Sequence, residues 1–415
     1  MDMQARNQYL TGLRERYFAA RRRREKTAIL EEYCRNTGQN RKVVIRKLHS
    51  QPGLQPRPRK KRAAVYDGPV KAALVRCWEI FDHACGQRLA PLLKTEVDRL
   101  KGFGELGVST EVAGKLKRIS PATIDRLLGP SRAQLKFSRT RRLPRPGSRL
   151  YRHIPVRLTS WDTARVGFVE MDLVAHGGGS SADSFLYSLS VTEIATGWWE
   201  GQAVMGRGQQ GVFEALKQIR RRCPFRWRGI DCDNDSAFIN DELYRYCRRE
   251  RLPFTRSRPG HKNDNAYIEQ KNYTHVRQVF GYQRYDTAEE LALMNRLYEG
   301  ELRQFKNFFS PVMKLASKER VGGRVKRRYD VPKTPCDRLL ASGALTREHC
   351  QRLQESHRRL NPAELHRRIE EGLGRLERVH NEKRRRQKSG ARANSEGDRS
   401  VTFYMIQRPA VRLPG

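Results

Sequence analysis

Several features that this chain of 415 residues lacks restrict what it can be. Its eight cysteines never form a Cys-x-x-Cys pair, the spacing typical of zinc ribbons and fingers. No apolar run approaches the roughly 18 residues of a membrane-spanning helix. The first residues, MDMQARNQYL, lack the apolar segment of a secretory signal. The glycine run 177–179 has no Gly-Lys-Ser or Gly-Lys-Thr behind it, so we expect a hairpin loop and no P-loop.

The cysteines nearest to a metal-ligand pattern are Cys77 and Cys85, with His83 between them. This grouping lies in an apolar stretch with helical periodicity, so ordinary reduced thiols are the favoured interpretation. Together with the missing signal segment, it predicts a protein of a reducing, intracellular compartment.

Acidic residues are scarce relative to basic ones, with 45 Asp and Glu against 84 Lys and Arg and a formal net charge of +39. Self-repulsion on this scale weakens a compact state unless a polyanion or counterions neutralise it. Nucleic acid is the expected polyanion. An anionic membrane is less favoured because the sequence shows no basic amphipathic helix or lipid anchor. A hydrophobic content of 37% excludes wholesale disorder.

The first half of the chain predicts two helical modules joined by basic linkers. In residues 1–51, Gly38 breaks a helix and Asn40 begins another, which is typical of a helix-turn-helix DNA-binding domain. A plain helical hairpin with a solvated basic face fits this stretch equally well. In the helix-turn-helix interpretation, the side chains that face a DNA groove are Arg41, Lys42, Arg46 and Lys47.

A second helical or helix-turn-helix DNA-binding domain is predicted over residues 65–130, where Ser120 is a plausible N-cap and Pro121 fits the first turn of a helix. The stretches 52–64 and 131–158 are rich in proline and cations and read as basic linkers.

Residues 159–310 have a different character. Strand-like runs at 166–175, 184–191 and 198–204 are followed by a helix at 209–221, a strand at 227–232, a helix at 241–250 and a strand at 252–257. The order β-β-β-α-β-α-β-α is that of an RNase H-like α/β layer. Trp198 and Trp199 are expected in its core, with base stacking as the alternative.

The rest of the chain completes a multidomain prediction. Residues 311–345 read as an irregular, basic C-terminal subdomain, and residues 346–415 as C-terminal helices and a tail, with Asn361-Pro362 at the start of a long helix to about residue 382. The predicted fold class is therefore helix-turn-helix modules, an α/β RNase H-like core, and a small basic C-terminal subdomain with a helix.

Three carboxylates in the predicted core lie where metal-assisted chemistry would need them. Asp172 is in the first strand, Asp233 follows the fourth strand, and Glu269 is near the start of a helix. Strands 1 and 4 are neighbours in this topology, and a helix across their ends can bring the third carboxylate close. Oxygen donors of this kind suit Mg²⁺. Two such ions about 3.5–4 Å apart can support phosphodiester chemistry.

Nearby acids compete for these roles. Asp231 points the same way as Asp233 along a strand, and Asp235 follows, so any of the three could be the ligand. Glu170 likewise shares a strand face with Asp172. The Asp-Asn dipeptide favours Asp233 as the ligand that follows strand 4, and the pattern of a hydrophobic residue followed by an acid favours Asp172 as the ligand in strand 1.

The short sequence motifs around these acids resemble those of a known family. Residues 233–238, DNDSAF, resemble D-N-G-x-E-F, and residues 257–269, SRPGHKNDNAYIE, resemble S-x-P followed by a polar turn and N-x-x-x-E. Thirty-five residues separate Asp233 from Glu269, the D,D-35-E spacing of DDE transposases and retroviral integrases. The chain resembles the bacterial insertion-sequence transposases of that superfamily, although Asp235 replaces the usual Gly and Ala237 the usual Glu.

Glu269 has a plainer interpretation as a surface residue that pairs with Lys271 or Arg277. The 35-residue spacing and the preceding Asn-Asp-Asn turn favour the catalytic role instead. By the same resemblance, Lys271 is a candidate contact to the DNA backbone. His261 and Lys262 are candidate contacts near the scissile phosphate or flanking bases.

The resemblance implies a DNA transposase of a mobile element. Asp172, Asp233 and Glu269 would hold two Mg²⁺ ions, with Mn²⁺ able to substitute, for hydrolysis that frees 3′-OH ends and for strand transfer into target DNA. The implied partners are element-end DNA, target DNA and at least one further copy of the chain, without a membrane, in the bacterial cytoplasm at the nucleoid. Whether an accessory ATPase takes part does not follow from the sequence. The alternatives are a catalytically inactive DNA-binding regulator with this fold and an RNase H-like nuclease.

Overall fold

The computed structural model of the chain describes residues 1–50, 65–136, 164–179, 184–233, 237–238, 240–256 and 266–405. The chain divides into two compact units, Met1–Val65 and Tyr66–Gly415. The predicted linker 52–64, most of the predicted linker 131–158, and the segment 257–265 with His261 and Lys262 lie outside the described residues. Within the described ranges, every helix is too short or too polar to cross a membrane.

The first unit is a cluster of three helices, α1 (Met3–Ala19), α2 (Arg23–Thr37) and α3 (Arg41–His49). Gly38 ends α2 in the left-handed conformation, with φ at 65°, and Asn40 caps α3 by accepting the Lys42 N–H at 3.0 Å. The predicted break and start of the second helix are thus confirmed. The helices share a core of their own around Leu10, Tyr33 and Leu48, while a helix-turn-helix role stays a prediction.

The second unit begins with five helices, α4 (Gly68–Ile80), α5 (Gly86–Gly102), α6 (Thr110–Arg118), α7 (Pro121–Leu127) and α8 (Gly129–Lys136). The Ser120 hydroxyl accepts the Thr123 N–H at 3.3 Å, which confirms it as the N-cap of α7. The buried residues of these helices belong to the same hydrophobic core as the sheet that follows.

The sheet holds five strands. Along the chain they are β1 (Phe168–Ala175), β2 (Leu186–Glu193), β3 (Trp199–Met205), β4 (Gly229–Cys232) and β5 (Phe254–Arg256), with α9 (Gln209–Arg222) before β4 and α10 (Asp241–Arg249) before β5. The strand order is β3-β2-β1-β4-β5; β1, β2 and β3 are antiparallel, whereas β4 runs parallel to both β1 and β5. The predicted order of elements is confirmed, and the second unit is a mixed α/β structure.

The two neighbouring tryptophans lie in the core of this unit. Trp198 and Trp199 are 1% and 0% exposed, and their indole N–H groups donate to Glu200 Oε1 and Ser190 Oγ, both at 2.9 Å. The packing role is confirmed. Base stacking by these rings is wrong for this structure because neither ring face reaches solvent.

After the sheet, α11 (Ala266–Lys271) continues through a π-helical turn (Asn272–Arg277) into α12 (Gln278–Phe280). There follow α13 (Ala288–Glu299), α14 (Glu301–Phe308), β6 (Leu315–Val321), β7 (Arg324–Tyr329), α15 (Pro335–Ala341), α16 (Arg347–Arg359) and α17 (Pro362–Met405).

Two predictions for this part are wrong. The segment expected to be irregular is the antiparallel hairpin β6–β7. Its strands are exposed on both faces, so they lack the alternation of apolar and polar residues that predicts a strand. The last helix begins where predicted, with Asn361 Oδ1 accepting the Ala363 N–H at 3.0 Å, but it continues past residue 382 to Met405. Lys383 belongs to it and lies 2.7 Å from Glu290 Oε1, an ion pair that holds α17 against α13.

Candidate active site

The central strands β1 and β4 bring Asp172 and Asp233 together. Their parallel register pairs Glu170 with Asp231 and Met171 with Cys232. The next residue on each side is Asp172, within β1, and Asp233, directly after β4. Adjacent strands lie about 4.8 Å apart, and paired residues point to the same face of a sheet. Continued by one residue, this register predicts the two carboxylates side by side, just past the carboxyl end of β4.

The electrostatics of Cys232 support this placement. Its pKa is raised well above the ordinary thiol value, first by burial and then by the negative charges of Asp233, Asp231 and Asp172. Carboxylates from β1 and from the β4 segment thus raise the pKa of the same thiol. This part of the sheet is a region of concentrated negative charge.

Helix α11, which carries Glu269, is fastened to β1 at two points. The Glu170 carboxylate accepts the Ile268 N–H at 3.1 Å, and Asn272 Nδ2 donates to Asp172 Oδ2 at 2.6 Å. Between these contacts the helix advances about 6 Å and the strand about 6.6 Å. The matching advance means that α11 runs along β1 in the same direction.

Glu269 lies between those two points of attachment. It precedes Asn272 by three residues, a spacing that places side chains on one side of a helix. Because Asn272 reaches Asp172, Glu269 lies on the side of the helix that faces β1, with its side chain exposed. The topology thus directs all three predicted carboxylates toward the same end of the sheet.

Asn272 is a site residue that the sequence analysis missed. Its amide orients Asp172, whose other oxygen accepts the Leu173 N–H at 2.7 Å. Among the described residues, nothing hydrogen-bonds to the buried oxygen Oδ1 of Asn272. Asn272 also begins the π-helical turn, a distortion often found at functional sites. Its position three residues after Glu269 is the signal that could have identified it.

The rival carboxylates have structural uses. Glu170 is 1% exposed and caps α11, and Asp231 is 0% exposed and accepts the Thr255 hydroxyl at 2.5 Å. Asp172 and Asp233 are only partly buried, as residues that meet a ligand must be. This difference favours Asp172 and Asp233, and their roles stay predictions. Asp235 lies outside the described residues.

Both rival partners of Glu269 face elsewhere. Lys271 is 5% exposed and its Nζ lies 3.2 Å from His275 Nε2, so its predicted contact with the DNA backbone is wrong in this structure. Burial, together with the nearby cations Arg88, Lys306 and Lys314, lowers the pKa of Lys271 to about 7. The guanidinium of Arg277 stacks over the Tyr282 ring at 4.9 Å.

The predicted DNA contacts on α3 differ in their surroundings. Lys42 and Arg46 are exposed. Arg41 donates to the Thr27 hydroxyl at 3.3 Å, and Lys47 to Gln39 Oε1 at 3.1 Å. All four predicted contacts remain predictions; Arg41 is exposed as well, and Lys47 is partly buried.

A contact between a serine and a histidine near the sheet is a packing feature and no nucleophile–base pair. His176 Nε2 lies 2.8 Å from Ser188 Oγ, which lies 2.6 Å from the Tyr298 hydroxyl. All three side chains are fully buried, and burial lowers the pKa of His176 to about 3. A neutral, sealed imidazole offers no access to a substrate.

The donor chemistry of the site fits Mg²⁺, since it consists of carboxylate oxygens and an amide oxygen. In the described part of the chain, however, no three His, Cys, Asp or Glu side chains lie close enough together to hold a metal ion. The structure therefore shows the parallel pairing of β1 with β4 and the attachment of α11 to β1, while the carboxylate set and a metal centre stay predictions. All eight cysteines are free thiols.

Two solved structures are similar to part of this chain. One is the catalytic core domain of BIV integrase, at 16% identity over 28% of this chain and 70% of that chain, with a TM-score of 0.23. The other is the HTLV-2 integrase catalytic core domain in complex with magnesium, in dimeric form, at 11% identity over 35% of this chain and 89% of that chain, with a TM-score of 0.27. These structural neighbours are retroviral integrase cores, but both TM-scores are too low to support an argument about this chain.

No protein-family model matches the sequence. A protein of Sinorhizobium fredii (strain NBRC 101917 / NGR234), described as "Uncharacterized protein y4rM", is 41% identical over 340 residues. The alignment covers 81% of this chain and 96% of that protein. At this identity and coverage, the chain belongs to the same family as the Sinorhizobium fredii protein y4rM.

Proposed function

We propose that this chain is a DDE-type DNA transposase with an RNase H-like catalytic core. The observation that carries the proposal is the parallel register of β1 and β4, which supports Asp172 and Asp233 as neighbours when it is continued by one residue. The attachment of α11 to the same strand through Glu170 and Asn272 supports Glu269 as the third member.

The proposed roles follow from these positions. Asp172 belongs to the sheet and Asp233 directly follows β4, and together they would fix one side of the reacting phosphodiester. Glu269 would approach from α11 on the other side, and Asn272 would keep Asp172 in one orientation. Bound Mg²⁺ would supply the charge that activates the attacking oxygen and stabilises the leaving oxygen.

In the proposed reaction, water first attacks the phosphodiester at the element end and releases a 3′-OH. That hydroxyl then attacks a phosphodiester of target DNA, joining the strands without a covalent protein intermediate. Two ends must be processed together, so the proposal includes a homo-oligomer of at least two copies. The net charge of +39 supports DNA as the partner that both steps require.

The test uses labelled duplex DNA from the ends of the element that encodes the chain, incubated with the protein and Mg²⁺. Nicked and strand-transfer products are expected from the parent. Asp233→Asn should reduce both by roughly 10³-fold, because several kcal/mol of charge stabilisation are lost at about 1.4 kcal/mol per factor of ten. Asp231→Asn changes the carboxylate two residues earlier, on β4. Its activity should stay within about tenfold of the parent's, because the amide oxygen still accepts the Thr255 hydroxyl.

A surface control is Asp241→Asn, whose side chain is 91% exposed. Equal activity of Asp233→Asn and the parent would refute the proposed site. Specific binding without any cleavage in Mg²⁺ or Mn²⁺ would instead indicate a DNA-binding regulator. Cleavage confined to RNA–DNA hybrids would indicate an RNase H-like nuclease.

A further inference from the structure

The hairpin β6–β7 is unusual because its strands are exposed along their length. In β7 every residue is exposed, and in β6 only Ser317 is partly covered. A two-stranded hairpin alone is marginally stable in water. A hairpin this exposed therefore needs support at its ends. Its open surface also points to a role in binding.

The two faces of the hairpin differ in charge. The register pairs Lys318 with Arg327 and Arg320 with Val325, so one face carries three cations and no acid. The opposite face includes Glu319, which pairs with Lys326 across the strands. We call the first the cationic face. Like charges directly opposite each other, as at Lys318 and Arg327, destabilise a strand pair unless an anion lies between them.

The ends of the hairpin are fixed to the rest of the second unit. Lys314, just before β6, donates through Nζ to the carbonyl oxygens of Ile194 and Ala195. Asp330, just after β7, accepts the Lys314 N–H at 2.7 Å and the Arg338 guanidinium at 2.7 Å. The hairpin is thus held at its base while its surface stays open to solvent.

We propose that this hairpin is a duplex-DNA contact that enters the major groove with its cationic face toward the DNA. Its longer strand of seven residues extends about 23 Å, at about 3.3 Å per residue. The major groove, about 12 Å wide, admits a two-stranded ribbon. The inference deepens the proposed function by naming a surface that holds the DNA, and it rests on that function for the choice of DNA as the polyanion.

The test compares two triple variants of the full chain that remove the same charge from opposite faces. The first is Lys318→Gln with Arg320→Gln and Arg327→Gln. The matched control is Arg324→Gln with Lys326→Gln and Arg328→Gln, on the face that contains Glu319. Binding to a 30-base-pair duplex is measured across a salt series in EDTA, so that no cleavage is required, and thermal unfolding confirms that both variants fold.

The first variant is expected to lower the slope of log affinity against log salt by about 2.7, from about 0.9 for each of three phosphate contacts. Over the roughly 0.8 decades between 1 M and 0.15 M salt, this amounts to about a 100-fold loss of affinity at 0.15 M. The control should lose less than about tenfold. A duplex with bulky substituents at the pyrimidine C5 positions, which block the major groove, should bind the parent as weakly as ordinary duplex binds the first variant.

Equal losses in both variants, or no loss in the first, would overturn the inference. So would equal binding of the parent to polyglutamate and to duplex DNA, since the surface would then recognise any polyanion. Failure of the proposed function is separate: a chain that binds as described but never cuts DNA in Mg²⁺ would refute the catalytic proposal and leave the hairpin contact standing.

Discussion

Replacing Glu170 by Gln separates the roles of the two carboxylates on β1. In the structure Glu170 accepts the Ile268 N–H at 3.1 Å and caps α11, whereas Asp172 is partly exposed and accepts from Asn272. A glutamine oxygen can still accept that N–H, but a neutral amide is a poor substitute for a carboxylate metal ligand. Glu170→Gln should therefore fold and react, and Asp172→Asn should fold without reacting.

The magnitudes follow from these contacts. A hydrogen bond to a charged group contributes about 1.5–3 kcal/mol and one to a neutral group about 0.5–1.5 kcal/mol, so Glu170→Gln should cost about 1 kcal/mol. The second unit runs from Tyr66 to Gly415, and at about 2.1 cal/mol/K of unfolding entropy per residue that cost lowers its Tm by about 1–2 °C. Glu170→Ala, which leaves the Ile268 N–H without its acceptor, should cost about 2 kcal/mol and reduce activity about 10–100-fold, because α11 is no longer held. Asp172→Asn should reduce activity roughly 10³-fold.

The assay is nicking and strand transfer on labelled element-end DNA, with thermal unfolding of each variant in parallel. If Glu170→Gln is as inactive as Asp172→Asn while its Tm stays within a few degrees of the parent, Glu170 is the β1 ligand. The assignment of Asp172 would then be refuted.

The remaining predictions concern Asn272, Lys383 and Lys271. Asn272→Ala should reduce strand transfer about 10–100-fold with unchanged DNA binding, whereas Gln270→Ala, at an exposed position, should not. Burial alone would raise the pKa of Glu290, but hydrogen bonds from Lys383 and from backbone N–H groups lower it below its ordinary 4.5. Its stabilisation is therefore present above that value and lost as the pH falls through the lowered pKa. Lys383→Met should cost about 3 kcal/mol at pH 7 and flatten the acid limb of Tm against pH. Lys271, with its pKa lowered from 10.5 to about 7, favours unfolding at pH 7, so Lys271→Met should raise Tm there, less so toward pH 10.5, without weakening DNA binding.

Much of the second unit could be predicted because its strands carry strong local signals. Aromatic and β-branched runs bounded by glycines predicted β1, β2 and β3 with ends within a few residues of those observed. The hairpin β6–β7 could not be predicted in this way, because strands exposed on both faces have no apolar alternation. The paired glycines Gly322 and Gly323 at its turn were the remaining signal.

The sequence predicted which residues form the candidate site better than it predicted the contacts that hold them in place. Sequence spacing indicated Asp172, Asp233 and Glu269, and strand alternation correctly placed Glu170 on the same face as Asp172. That Glu170 caps α11 depends on tertiary packing, which no local pattern reports. Lys271 follows Glu269 by two residues, a spacing that puts the two side chains on different sides of a helix, so they should not have been expected to face the same DNA.

The two sides of the site are attached to the protein in different ways. Asp172 belongs to a central strand held by backbone ladders on both sides, whereas the start of α11 is held against that strand by the side chains of Glu170 and Asn272. Opening of α11 should therefore require far less free energy than unfolding of the sheet, and amide exchange near Ile268 should be faster than along β1. A ligand that binds both sides of the site would stabilise the closed position of α11 and raise the free energy needed to open it. Helix α11 should therefore gain the most protection from exchange when DNA and metal bind together.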